Sequence, residues 1–272
     1  MGSEMCIRDS YVTGPTAGNV VALAGTNAVA MPLLGGDWRT VLFVYATFVL
    51  VSGFVWLTIN SHPASRAAER RIAAEPNNPQ FAVFSELLRV PAIRLMLIIS
   101  VGIFFFNHSL NNWLPQILRH GGMDAVTAGY WSSVPTVVGM AGALIIPRLA
   151  TPARRYMILF GLIASACTAV LLIRTMDVGV LPIGLVLQGL VRGSMSSIAI
   201  LFLMETKGVN ARVMGAAGGM YFSAGEIGGV LGPLSVGAMF DATGDFSAPL
   251  LMLSGACVML ALLLARLRAV SR

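Results

Sequence analysis

Eight times along its length the chain runs through an apolar stretch long enough to cross a bilayer. This succession, more than any motif, limits what the sequence can fold into. The stretches cover residues 16–34, 40–59, 92–118, 125–146, 157–173, 181–204, 213–240 and 248–264. A crossing takes about 20 residues as a helix. Inside hydrocarbon every backbone N–H and C=O must be satisfied within the protein, which a helix achieves alone. The sequence therefore predicts an all-α, polytopic membrane protein with eight transmembrane helices. Composition agrees: 56% of the residues are hydrophobic and only 11% are charged, against roughly 25% charged in a soluble domain.

A net charge of +6 could point to nucleic acid, but the basic residues are scattered through short loops rather than gathered on one surface. Assigning the loops alternately to two sides gives one side Arg66, Arg70, Arg71, Arg89, Arg94, Arg148, Arg154, Arg155, Lys207, Arg212, Arg266, Arg268 and Arg272. The other side receives Arg39, Arg119 and Arg174. Cytoplasmic loops are the basic ones. The bias predicts a multi-pass protein of the inner (cytoplasmic) membrane with its C-terminus in the cytoplasm, and a lipid bilayer rather than a nucleic acid as partner. Trp38 and Trp56 flank the second span, where membrane–water interfaces favour Trp; Tyr130 and Trp131 at the start of the fourth fit the same belt. The longest hydrophilic break follows Asn60, and Phe81, Phe84, Leu87 and Leu88 then recur at helical spacing. That pattern fits a short amphipathic helix on the membrane surface. Residues 1–10, MGSEMCIRDS, match nothing that follows and read as a non-native leader.

Two spans carry a charge at mid-depth. Arg192 lies near the middle of 181–204 and Glu226 near the middle of 213–240. A charge there costs at least ~2.5 kcal/mol on insertion scales, so it normally faces protein or water and has a function. A guanidinium is permanently charged and presents a planar fork to carboxylates and oxyanions, so Arg192 is the candidate substrate anchor. Glu226 can pair with Arg192, or carry a proton; the stronger expectation is that it is first Arg192's partner. In the third span Asn107 and Asn111 are four residues apart, as are His108 and Asn112. Residues at that spacing share a helix face. Amides donate and accept, and an imidazole titrates near neutral pH. Asn107, Asn111 and Asn112 are thus candidate substrate ligands, and His108 is a second proton carrier. Gln188, one turn before Arg192, and Tyr221, on the Glu226 helix, are candidate further contacts. The glycines of the Glu226 span form GxxxG pairs at Gly225/Gly229 and Gly228/Gly232, which permit close helix approach. Cys6, Cys167 and Cys257 have no metal or disulfide spacing. The sequence offers no nucleotide loop, metal cluster or nucleophile triad, so no catalytic residue, metal or cofactor is expected.

Several segments carry a family resemblance. GGDWRTVLF looks like a fifth-to-sixth helix turn, PRLATPARR like a degenerate basic loop motif, and GGVLGPLSVGAMFDATGDF like a penultimate helix with its following turn. With the hydrophilic linker before Phe81, they resemble the C-terminal two-thirds of a major facilitator superfamily transporter. NHSLNNWLPQIL is similar to the seventh helix of the cyanate/nitrate-type small-anion porters. The resemblance implies that residues 11–60 are the last two helices of an N-terminal six-helix half. Residues 61–91 would be the cytoplasmic linker with its surface helix, 92–268 a complete C-terminal six-helix bundle, and 269–272 a tail. It implies a truncated secondary active transporter, monomeric when complete, that moves a small anionic solute by alternating access with proton coupling. The alternatives are proton-coupled efflux of a cationic or amphipathic compound recognised by Glu226, and a non-transporting sensor or scaffold. The family's antiporter motif is missing from the first span, which disfavours drug/proton exchange.

Overall fold

The computed structural model describes residues 26, 29–67, 80–206, 208–210 and 213–270. Their regular structure is helical throughout. The chain divides into two compact units, Met1–Asn77 and Asn78–Arg272.

The first unit is built on helix α1, Trp38–Ser61, entered through a tight turn. Gly35 and Gly36 both have positive φ, 67° and 78°, a region that favours glycine. Asp37 then caps α1: its carboxylate accepts from the backbone N–H of Arg39 at 3.0 Å and of Thr40 at 3.3 Å, and from the Thr40 hydroxyl at 2.6 Å. Within the helix the hydroxyls of Thr47, Ser52, Thr58 and Ser61 donate back to carbonyls of the preceding turn. That satisfies them without water, as hydrocarbon requires. Most of the expected first span, 16–34, lies outside the described residues.

The second unit begins with α2, Gln80–Arg89, which packs on the next helix, α3, Pro91–His120. Val90 is extended and Pro91 opens α3, so the chain breaks between a short surface-type helix and a long one. The remaining helices are α4, Ala125–Leu149, α5, Arg155–Thr175, α6, Leu181–Glu205, α7, Met214–Thr243, and α8, Ser247–Val270. α3 is central. It packs most extensively on α7 and also meets α8, α4 and α6, while α6 packs on α4 and α5. Ile93, Met96, Ile99, Ile103, Phe106 and Leu110 of α3 are fully buried, a stripe at helical spacing.

Between membrane helices lipid removes most of the hydrophobic driving force, so association depends on close packing of small residues. On α7 the expected GxxxG glycines do this. A Cβ at Gly228 would fall on the Val101 carbonyl, one at Gly232 on the Phe105 carbonyl, and one at Gly225 would sit 2.8 Å from the Phe104 ring. Trp113 adds a bond across the same interface, donating from Nε1 to the Pro233 carbonyl at 3.0 Å. A second glycine contact joins α6 to α4. A Cβ at Gly193 would fall on the Gly139 carbonyl, and one at Gly189 would lie 2.7 Å from Val138 Cβ and 2.8 Å from the Pro135 carbonyl.

Six of these helices are long and apolar enough to span a membrane: α1, α3, α4, α5, α6 and α8. The expected eight are therefore not all found among the described residues. α7 has the length, 30 residues, but its glycines and Glu226 dilute its apolarity. One end of the second unit gathers the start of α3, the α4–α5 turn, the end of α6 and the end of α8 around a single cleft. There Arg155 pairs with Glu205 and donates to the Ala150 and Leu201 carbonyls, and the Arg268 guanidinium lies 5.9 Å from the Tyr156 ring centroid.

Candidate functional site

Arg192 sits near the midpoint of α6, and the packing of α6 on α4 decides what it meets. Gly189 and Gly193 bracket it and bring the two backbones together at Pro135 and Gly139. Thr136 is consequently close enough for its hydroxyl to accept from Arg192 Nη1 at 2.9 Å. This is one neutral acceptor for a group with five N–H donors. The ion pairs among the described residues are His120–Asp245 and Arg155–Glu205; Arg192 is in neither. The guanidinium is half-buried, charged, and without a counter-ion among the described residues.

It opens on a cavity of about 220 Å³ between α3 and α6, lined by Phe104, Asn107, His108, Asn111, Arg192 and Ser196. Four of the residues singled out from the sequence, Arg192, Asn107, His108 and Asn111, thus converge. Asn107 keeps a buried side-chain oxygen without a hydrogen-bond partner. His108 stacks on Phe104, with ring centroids 5.5 Å apart and planes 25° from parallel. Phe104 in turn meets Tyr221 and Phe222 edge-on at 6.3 and 6.1 Å. The cavity is therefore a cationic and amide-bearing pocket with an aromatic wall. It can hold a small anion by charge and by amide hydrogen bonds.

The other candidates lie elsewhere. Glu226 does not pair with Arg192, contrary to expectation: it is exposed on α7. Because α7 packs on α3 through its glycine stripe, Glu226 and His108 both lie beside Gly229, without an ion pair between them. Glu226 Oε2 and His108 Nδ1 lie 3.0 and 2.9 Å from the point a Cβ of Gly229 would occupy. Asn112, exposed like Asn111, is outside the cavity lining. Gln188 is buried, with both amide atoms unpaired, and does not line the cavity. Tyr221 is fully buried against Phe104, with Ser196 beside its hydroxyl.

Thr136, Ser196 and Phe104 were not foreseen. Ser196 follows Arg192 by four residues, so the same spacing rule that suggested Gln188 also reaches it. The GLVRG spacing around Arg192 was the available signal for the α4 contact.

The sequence model of the Major Facilitator Superfamily matches residues 5–233. An uncharacterized transporter of Bacillus subtilis, YycB, is 25% identical over 90% of the chain and 59% of its own length. A quinolone resistance transporter of Acinetobacter baumannii is 26% identical over 89% of the chain and 58% of its own length. A probable galactarate/D-glucarate transporter of Escherichia coli, GudP, is 21% identical over 79% of the chain and 54% of its own length. The chain thus spans between about half and three-fifths of these relatives.

Proposed function

The chain belongs to the Major Facilitator Superfamily, and from that premise we propose that it forms the larger part of a secondary transporter for a small anionic solute. In this reading it supplies eight of twelve membrane helices: the last two of one six-helix half in residues 11–60, and the whole second half in 92–268. Residues 61–91 link them on the cytoplasmic side. The complete protein is a monomer in the cytoplasmic membrane with its C-terminus inside. Its halves rock about a midplane site to give alternating access.

The observation that carries the proposal is the unpaired Arg192 in the α3–α6 cavity. A buried cation is costly unless compensated. An anion on Arg192, with Asn107 and Asn111 supplying hydrogen bonds, lowers the cost of enclosing the site, so the occluded state is favoured only when loaded. A small solute is in keeping with the about 220 Å³ that α3 and α6 contribute to the site, against ~300–1,000 Å³ for drug-sized sites. His108 and Glu226 carry the coupled proton. Thr136 and Ser196 fix Arg192's surroundings, and Gln188, Tyr221 and Asn112 act as outer supports. GudP, named for two anions, is compatible with this class.

Uptake by the complete transporter in proteoliposomes is the test. Arg192→Ala lowers anion uptake at least ~10-fold, the scale of losing a buried charge partner, and Arg192→Lys restores part of it. Unchanged anion uptake by a well-folded Arg192→Ala protein refutes the anchor role. A second reading, export of a cationic or amphipathic compound, draws on the exposed, unpaired Glu226 and on the relative named for quinolone resistance. There Glu226→Gln abolishes export while Arg192→Ala spares it.

A further inference from the structure

At the end of the bundle where α3 begins and α8 finishes, a cleft of about 280 Å³ is lined by Pro91, Arg94, Leu95, Ile98, Arg266 and Val270. We propose that this cleft binds an anionic phospholipid, with Arg94 and Arg266 holding the headgroup phosphate and Leu95, Ile98 and Val270 receiving the start of an acyl chain. The two arginines come from different helices and are both exposed. Neither belongs to an ion pair among the described residues, whereas Arg155 at the same end is occupied by Glu205. The lining contains no carboxylate. Ile98 is 49% and Val270 45% exposed, so the apolar floor is open to the side. Two guanidiniums above an open apolar groove match the charge and amphipathic layout of a phosphodiester lipid, since arginine binds phosphate oxygens through its fork. A free phosphate would satisfy the arginines but leave the floor uncovered.

The test uses the complete protein in nanodiscs of phosphatidylcholine alone, or with one-fifth phosphatidylglycerol. Lipid retention is read by native mass spectrometry and stability by the thermal unfolding midpoint. Wild type retains phosphatidylglycerol over phosphatidylcholine and unfolds at a higher temperature in its presence. Arg94→Gln or Arg266→Gln each lower that preference about five-fold, the scale expected per surface arginine at an anionic membrane, and Arg94→Lys with Arg266→Lys keeps most of it. Arg174→Gln, in the last turn of α5, leaves it unchanged. Equal loss with Arg174→Gln overturns the proposal, because it makes the effect one of net charge. Equal stabilisation by inorganic phosphate in phosphatidylcholine discs also overturns it, because the ligand is then not a lipid. A double glutamine variant that folds, by its unfolding transition in phosphatidylcholine, yet keeps wild-type lipid preference overturns it as well.

Discussion

Arg192 keeps its position through one hydrogen bond to Thr136, so that neutral hydroxyl has leverage on a charged group. Bonds to charged groups are worth ~1.5–3 kcal/mol. Thr136→Val is expected to raise the KM for the anion about ten-fold with little change in kcat, measured as concentration-dependent uptake. Other charges at this scale are caps rather than functional sites. The Thr127 side chain, followed by backbone N–H donors, lowers the Asp124 carboxyl pKa from its ordinary 3.8; Asp37 is lowered chiefly by Thr40 and Asp245 chiefly by Ser247. A depressed folded value means the capping contribution is complete above the unfolded value and is lost as pH falls through the lowered one. Stability from these caps is therefore constant from pH 7 to 5, and Asp124→Ala lowers the unfolding midpoint equally at both, as a pair of thermal melts will show. Much of the site was legible residue by residue, because Arg192, Asn107, His108 and Asn111 are polar where lipid forbids it. The Glu226 pairing was not. Sequence shows depth along a helix, but which neighbour a side chain meets depends on helix rotation, and that was set by glycines.

The glycine seams decide how elements meet, and they make sharp predictions. Gly228→Ala and Gly193→Ala each place a methyl on a facing carbonyl, of Val101 and Gly139 respectively. Overpacking of this kind costs ~1–3 kcal/mol, here compounded by a rigid backbone on the other side. Both variants should lower the detergent unfolding midpoint. Gly161→Ala and Gly255→Ala, where a Cβ meets nothing within 4 Å, should leave it unchanged or slightly raised; equal damage at all four sites would show that the seams have no special role. The α3–α7 seam was readable as GxxxG. The α4–α6 seam is equally present as GLVRG facing PTVVG, with Arg192 between the two glycines that make the contact. Span positions were close: the stretch 92–118 became Pro91–His120 and 181–204 became Leu181–Glu205. α7, expected as a span over 213–240, is not among the helices apolar enough to cross a membrane, since the glycines that allow tight helix contact dilute its hydropathy.

Across the whole molecule, a cation without a counter-ion among the described residues, a small amide-lined cavity and the two titratable side chains beside Gly229, His108 and Glu226, belong to one proposed cycle. If proton coupling runs through that pair, Glu226→Gln should abolish uptake driven by a proton gradient yet preserve anion exchange between equal concentrations across the membrane, a separation that counterflow assays read directly. Loss of both activities would assign Glu226 to structure or to recognition. The family was legible from the order of spans, the basic loops and three local motifs, because these features are written along the chain itself. The solute was not, since a site made mostly of amides and one guanidinium specifies charge and size before identity. The most direct measurement is therefore of binding. The complete protein is titrated with a panel of small carboxylates and oxyanions, and the thermal unfolding midpoint is followed for wild type and Arg192→Gln. The account predicts that at least one small anion stabilises the wild type in a saturable manner and that Arg192→Gln abolishes this stabilisation while folding normally. Equal stabilisation of both proteins by the same anion would contradict it.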